Sequence, residues 1–274
     1  VLRPIHSLKQ AGIIDYTILP EYTLYDDDCD LKEFVKTNTK LAAITLASNL
    51  TGQIVFSSAL AEKLKALGLT VFVDASQGAG KKLLDMQRDC IDVLAFTGHK
   101  DLLGLPGVGG LCSVNNLRIT PLIQGGTGIY GDSYVNPEAF PESYEAGTLN
   151  MPAIWALKNA VEYINEHISE MNKTESGLTQ YLVKSMTALP NVIVYNADKP
   201  RVSTLAFNVK GKSSSDVVAL LDKNGICVRG GIHCAILAHE TLGTVKSGAV
   251  RVSMNSYNTK DEIDAFIKVI GGIN

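Results

Sequence analysis

The chain has little of what marks the more specialised protein classes. It carries only five cysteines, Cys29, Cys90, Cys112, Cys227 and Cys234, an odd number with no Cys-x-x-Cys pair. That pattern argues against a disulfide framework or a zinc ribbon and for reduced thiols in a cytoplasm. Charge is nearly balanced, with a formal net of -3 over 274 residues. No global basic field is available to attract nucleic acid or a membrane surface. No stretch approaches the roughly 20 apolar residues of a membrane span, and Val1–Gln10 lacks the charged head, apolar middle and small cleavage residues of a signal peptide. The segment QGAGKK (Gln77–Lys82) falls short of a phosphate loop, because Ala75 stands where the first Gly is required and Lys82 where a Ser or Thr is required.

What is present is the composition of an ordinary globular protein, 46% hydrophobic and 19% charged, long enough for one large domain or two modest ones. Short apolar runs predict strands at Ile14–Ile18, Ala42–Leu46, Val71–Asp74, Val93–Phe96 and Gly109–Ser113. The stretches between the first four leave room for helices, and Ser57–Leu67 places Leu60, Leu64 and Leu67 at helical spacing. Such alternation implies an α/β fold with a mainly parallel sheet. Residues 115–150, rich in Gly, Pro, Asn, Ser and Tyr, read as a long functional loop region. A helix with Pro152 near its start follows, and a boundary inside or just after it, near Glu166, separates a large domain (1–166) from a smaller α+β domain (167–274). The second part reads as helix 175–188, strands 192–194 and 204–209, helix 214–224, strands 227–229 and 249–253, and helix 260–270. Thr259 and Glu262 form a capping box for the last helix.

Six segments carry chemistry. TVFVDASQ delivers Asp74 at a strand end, with Gln77 three residues on. Asp74 either caps the next element or holds a ring nitrogen protonated. FTGHK brings Thr97, His99 and Lys100 directly after the next strand, before a glycine-rich stretch that suggests close approach of backbone to a ligand. An amine that must attack a carbonyl needs such a partly desolvated setting. Asn49 in ASNLTG is an Asx-turn residue or a ligand contact. EAGTLN contains Thr148. VRGGIHCA sets Cys234 between glycines, His233 and Arg229, surroundings that favour a thiolate, whereas Cys90, Cys112 and Cys227 read as buried spectators. Arg251 lies in the apolar strand AVRVS, where a buried guanidinium demands an anionic partner.

Asp74 and Lys100 stand 26 positions apart, one strand–helix–strand step. Together with Gln77 and His99, this pair closely resembles the class V aminotransferases, in particular their cysteine desulfurase branch. The resemblance implies a fold-type I pyridoxal-phosphate (PLP) transferase. In it Asp74 would pair the pyridine nitrogen and Gln77 the phenolic oxygen, Thr97 and His99 the phosphate, and Lys100 would bond covalently to the cofactor. Asn49 would contact cofactor or substrate. Thr148 would reach the phosphate held by the other subunit of a homodimer. Arg251, with Arg229, would hold the substrate carboxylate, and Cys234, beside His233, would accept sulfur from L-cysteine and pass it to an acceptor protein. Leu149 replaces the family's Pro, and Ile232 replaces a polar or aromatic residue, which leaves the exact substrate and sulfur acceptor open, with selenocysteine lyase or class V aminotransferase chemistry as alternatives. The family's N-terminal phosphate loop and ring-stacking histidine are not among these residues, so a truncated piece is expected, and a non-catalytic dimeric scaffold is the alternative of another class.

Overall fold

In a computed structural model the chain is described over residues 1–26, 28–114 and 117–273. Its frame is two four-stranded sheets. The first holds β1 (Leu41–Thr45), β2 (Thr70–Asp74), β3 (Val93–Thr97) and β4 (Gly109–Ser113) in that spatial order. β1, β2 and β3 run parallel, and β4 returns antiparallel along β3. The second sheet has the order β5 (Val192–Val194), β6 (Thr204–Val209), β8 (Ala249–Ser253), β7 (Arg229–Gly231), all antiparallel.

Each sheet has its own core. Val71, Val73 and Ile44 pack with Leu60, Leu64 and Phe56 beneath α2 (Ser58–Ala66), whose first turn is capped by Ser57. Leu205, Phe207, Val250 and Val252 pack with Leu182 and Met186 of α3 (Met151–Thr187), with Val217 and Leu221 of α4 (Ser214–Lys223), and with Phe266 and Ile270 of α6 (Lys260–Gly271). The Thr259–Glu262 capping box is formed in full.

The structure departs from expectation in several places. Ile14–Ile18 forms no strand; Ile14 and Ile18 are exposed and pair with no neighbouring strand among the described residues. The stretch between β2 and β3 holds turns rather than a helix. Its backbone is organised instead by the Asp89 carboxylate, which accepts from Asp85 N–H and Ser58 O–H. Two short helices were not foreseen, α1 (Leu2–Gln10) and α5 (Ile236–Thr241). The strand expected at 227–229 lies two residues later, where it can pair with β8. The two helices expected after Pro152 and over 175–188 are one, because α3 runs unbroken for 37 residues. The 1–166/167–274 division therefore falls inside a helix.

Candidate active site

Residues from the C-terminal end of the first sheet face a loop of the second. Asp74 is the last residue of β2 and pairs with Ala95 of the adjacent parallel strand. β3 ends two residues further on at Thr97, and Lys100 follows in the turn. Two neighbouring parallel strands thus deliver a carboxylate and an amine to the same sheet edge, the usual ligand edge of open α/β sheets. The Asp74 Oδ1 accepts from Ser76 N–H at 2.9 Å, fixing the carboxylate. Among the described residues neither Asp74 nor Lys100 is taken up by an ion pair. Lys100 and His99 are exposed, so the desolvated setting expected for the amine is not built by this chain's described residues. Thr97 Oγ1 and the Nδ1 of His99 lie 3.1 Å apart, within hydrogen-bond reach.

Glycines around this turn are required by the chain's own packing. A Cβ on Gly110 would lie 2.4 Å from the Phe96 ring, and one on Gly104 2.9 Å from Gly98 O. The close approach is strand to turn, and Leu157 of α3 closes over both Gly98 and Gly104.

The second sheet supplies the opposing wall. Arg229 of β7 and Arg251 of β8 are direct cross-strand partners, so their side chains share one face of the sheet. Like charges so placed repel unless an anion lies between them. Arg251 donates to Asn49 O at 2.9 Å, and neither guanidinium meets a carboxylate among the described residues. Burial, and then the charge of Arg229, push the Arg251 pKa down from its ordinary value. A half-buried guanidinium held beside another cation with no carboxylate is an anion site.

Cys234 is exposed on the loop after β7. His233 and Cys234 both adopt positive φ, 53° and 56°. Two successive non-glycine residues there are uncommon and must be held by their surroundings. The hold is visible. Asn49 Nδ2 donates to His233 O at 2.6 Å, and the His233 Nε2 meets Ala249 O at 2.9 Å. The His233 ring is only 8% exposed and stacks near His239, with burial pushing its pKa down. It is turned into the fold while the thiol next to it faces out.

Asn49 is therefore neither a simple Asx-turn residue nor free. It ties the turn after β1 to the cysteine loop and to Arg251 at once. Exposure does not single out Cys234, because Cys112 and Cys227, expected to be buried, are exposed as well, one on an edge strand and one just before β7. Its pinned backbone beside the arginine pair does. Gln77 Nε2 lies 3.5 Å from Asp101 Oδ2. Thr148 is exposed, and no hydrogen bond joins it to this cluster among the described residues. Sequence reasoning missed Asp101 and Lys81. Lys81 Nζ lies 3.3 Å from Asp101 and 2.9 Å from Glu175, so the lysine of the rejected phosphate loop is engaged in ion pairs. The signal available was Asp101 itself, adjacent to Lys100.

The profile of the class-V aminotransferases matches residues 4–266. The chain belongs to that family. A probable cysteine desulfurase of Methanothermobacter thermautotrophicus is 33% identical over 268 residues, 95% of this chain and 67% of that protein. Among solved structures, the apo cysteine desulfurase of Thermococcus onnurineus superposes with a TM-score of 0.76 at 33% identity, covering 85% of this chain and 59% of that one. The cysteine desulfurase CsdA of Escherichia coli gives 0.79 at 30%, covering 88% and 60%. The chain thus spans about three-fifths to two-thirds of the length of these relatives. Class-V aminotransferases use PLP, and the residues present fit it. Asp74 and Lys100 share one strand-end edge, with the Asp74 carboxylate oriented by Ser76 N–H and neither residue bound in an ion pair among those described.

Proposed function

We propose that this chain belongs to a PLP-dependent cysteine desulfurase that converts L-cysteine to L-alanine and leaves a persulfide on Cys234. The observation that carries this reading is the Arg229–Arg251 pair, an anion site without a carboxylate, beside the pinned loop that presents Cys234. It matches an α-carboxylate on one side and a reactive thiol on the other. The names of the relatives point the same way.

On this reading residues 1–166 form the cofactor-binding part and 167–274 the smaller part. PLP, when bound, supplies the electron sink for reaction at Cα. Asp74 would hold the ring nitrogen, Gln77 the phenolic oxygen, Thr97 and His99 the phosphate, and Thr148 the phosphate of a partner subunit. Arg251 and Arg229 hold the substrate carboxylate. Lys100 Nζ removes the proton from Cα as general base. Cys234 Sγ, as thiolate, attacks the substrate sulfur. The new S–S bond forms as the Cβ–S bond breaks, Cβ gains a proton, the proton taken by Lys100 is returned to Cα, and alanine leaves. Carbon is reduced and sulfur oxidised within the pair, so no external oxidant is needed. His233 acts by fixing the backbone of Cys234. An acceptor protein then takes the sulfur. Exposed apolar side chains at Leu122, Ile123, Tyr134, Phe140 and Trp155 support a homodimer. Five free thiols support a cytoplasmic setting, and no described helix is long and apolar enough to cross a membrane.

The test is borohydride reduction of the chain with added PLP, followed by peptide mapping, together with alanine release from L-cysteine. An adduct on Lys100 and alanine formation that falls at least about a thousandfold in Cys234→Ala, with the adduct kept, support the proposal. Alanine release unaffected by that substitution would remove Cys234 as the sulfur acceptor, a keto acid formed in place of alanine would point to aminotransferase-type chemistry, a selenocysteine preference to lyase chemistry, and no adduct at all to a non-catalytic dimeric scaffold.

A further inference from the structure

Lys81 joins four segments. Its ammonium pairs with Asp101 Oδ1 at 3.3 Å and Glu175 Oε2 at 2.9 Å, donates to Met254 O at 3.2 Å, and contacts the Ser203 hydroxyl. Its own carbonyl accepts from Asn172 of α3 at 2.9 Å. The three charged side chains are 9–15% exposed, a depth at which charges are retained only when well paired. The network also reaches outward at both ends. Asp101 Oδ2 accepts from Gly78 N–H at 3.0 Å and lies 3.5 Å from Gln77 Nε2, and Asp101 is the residue after Lys100. Glu175 Oε1 accepts from Ser256 N–H at 3.1 Å, and its Oε2 accepts from Ser203 Oγ at 2.8 Å. Ser256 and Met254 continue the chain just past β8, the strand that carries Arg251. The adjoining cavity, lined by Lys81, Lys100, Asp101 and Glu175, measures about 50 Å³, room for a few waters but far below the size of an organic ligand site. The charges serve one another.

We infer that Lys81 is a positioning residue, the tie that fixes the Lys100–Asp101 turn and the Gln77 amide against the end of the strand bearing Arg251. It thereby sets the separation between the amine and the carboxylate clamp. This inference rests on the roles proposed above for Lys100 and Arg251, but its physical content, a mechanical link between the two sheets through one ammonium, does not need cofactor.

Amide exchange measured by NMR on the cofactor-free chain tests it. The Gly78 N–H reports the Asp101 end and the Ser256 N–H the Glu175 end. In Lys81→Met both should exchange at least about tenfold faster. Lys82→Met, which removes the contacts to Phe56 O and the Phe56 ring and the attraction to Asp89, should leave both unchanged, and Lys81→Arg should restore both. Acceleration at one amide alone, or at neither, overturns the link. If Lys81→Met does not fold, Asp101→Asn answers the same question: faster exchange at the distant Ser256 amide supports the tie, and an unchanged rate overturns it. In enzyme loaded with PLP, kcat per trapped Lys100 adduct should fall about a hundredfold, the scale of an ångström-size misplacement, while KM changes less than about threefold. A purely structural lysine would lower the folded fraction and leave kcat per adduct alone, which would also overturn the inference. Absence of any Lys100 adduct in the unsubstituted chain would count against the proposed function instead, and the exchange result would still decide the role of Lys81.

Discussion

The two sheets use their residues differently. In the second, β6 is buried at nearly every position and both faces of its central strands meet apolar side chains or helices. Two facing strand positions there, Arg229 and Arg251, carry charges that meet no carboxylate among the described residues. In the first sheet the core lies beneath β1 and β2, while the edge strand β4 is largely exposed, and the loop that follows presents Leu122 at 97% and Phe140 at 72% exposure. One sheet turns side chains into stability. The other brings Asp74 and the turn of Lys100 to one edge and leaves apolar surface open. Rigid packing on one side and accessible groups on the other is what a site built between two such walls requires.

The contrast can be broken most sharply at Phe207, fully buried in the second core and edge-on to Phe266. Phe207→Ala should lower unfolding free energy by about 3–5 kcal/mol in urea titration, and a loss below about 1 kcal/mol would mean that this core is not what holds the sheet. Next comes Arg251→Ala. Loss of the clamp should reduce kcat/KM for L-cysteine about thirtyfold or more, equivalent to about 2 kcal/mol. An unchanged value would assign the carboxylate elsewhere.

A smaller effect separates the walls by pH. Burial holds the pKa values of both His233 and His239 below the ordinary 6.5. The unfolded chain therefore binds protons that the folded chain refuses. Stability is complete above about pH 6.5 and declines as pH falls below it toward the folded values. His239 Nδ1 lies 2.7 Å from Thr244 Oγ1, a contact that an Asn amide can imitate. His239→Asn should thus flatten the fall in thermal midpoint between pH 7 and 5, and an unaltered slope would remove the buried pair as its cause. The smallest effect belongs to the open surface. Leu122→Ser should change the unfolding free energy of the monomer by no more than about 0.5 kcal/mol, while weakening any self-association seen by sedimentation.

Much of the fold could be read from local pattern. β1, β2, β3, β5, β6 and β8 fall where apolar runs predicted them, and Thr259 caps α6 as its spacing required. The unbroken α3 could not be read, for a reason that lies in the site. The sequence pattern starts a second helix at Glu175, yet this residue lies inside α3, in the buried stripe shared by Ile164, Leu182 and Met186. Lys81, almost a hundred positions earlier, together with Ser203 and Ser256 later in the chain, makes it a core residue. Ile14–Ile18 failed in the opposite sense, since an apolar run without a pairing edge gains nothing from extending as a strand.

By itself the amino-acid order determined where the candidate groups lie along the elements: Asp74 at the end of β2, Lys100 just past β3, Arg251 within β8 and Cys234 in a loop. Only the tertiary structure decided how they are held. His233 faces inward, Asn49 bridges the turn after β1 to the cysteine loop, Arg229 stands opposite Arg251, and a lysine from a rejected motif joins the two walls. The physical reason is that a side chain's burial and counter-charge are set by residues distant in sequence, whereas strand and helix periods are set by neighbours.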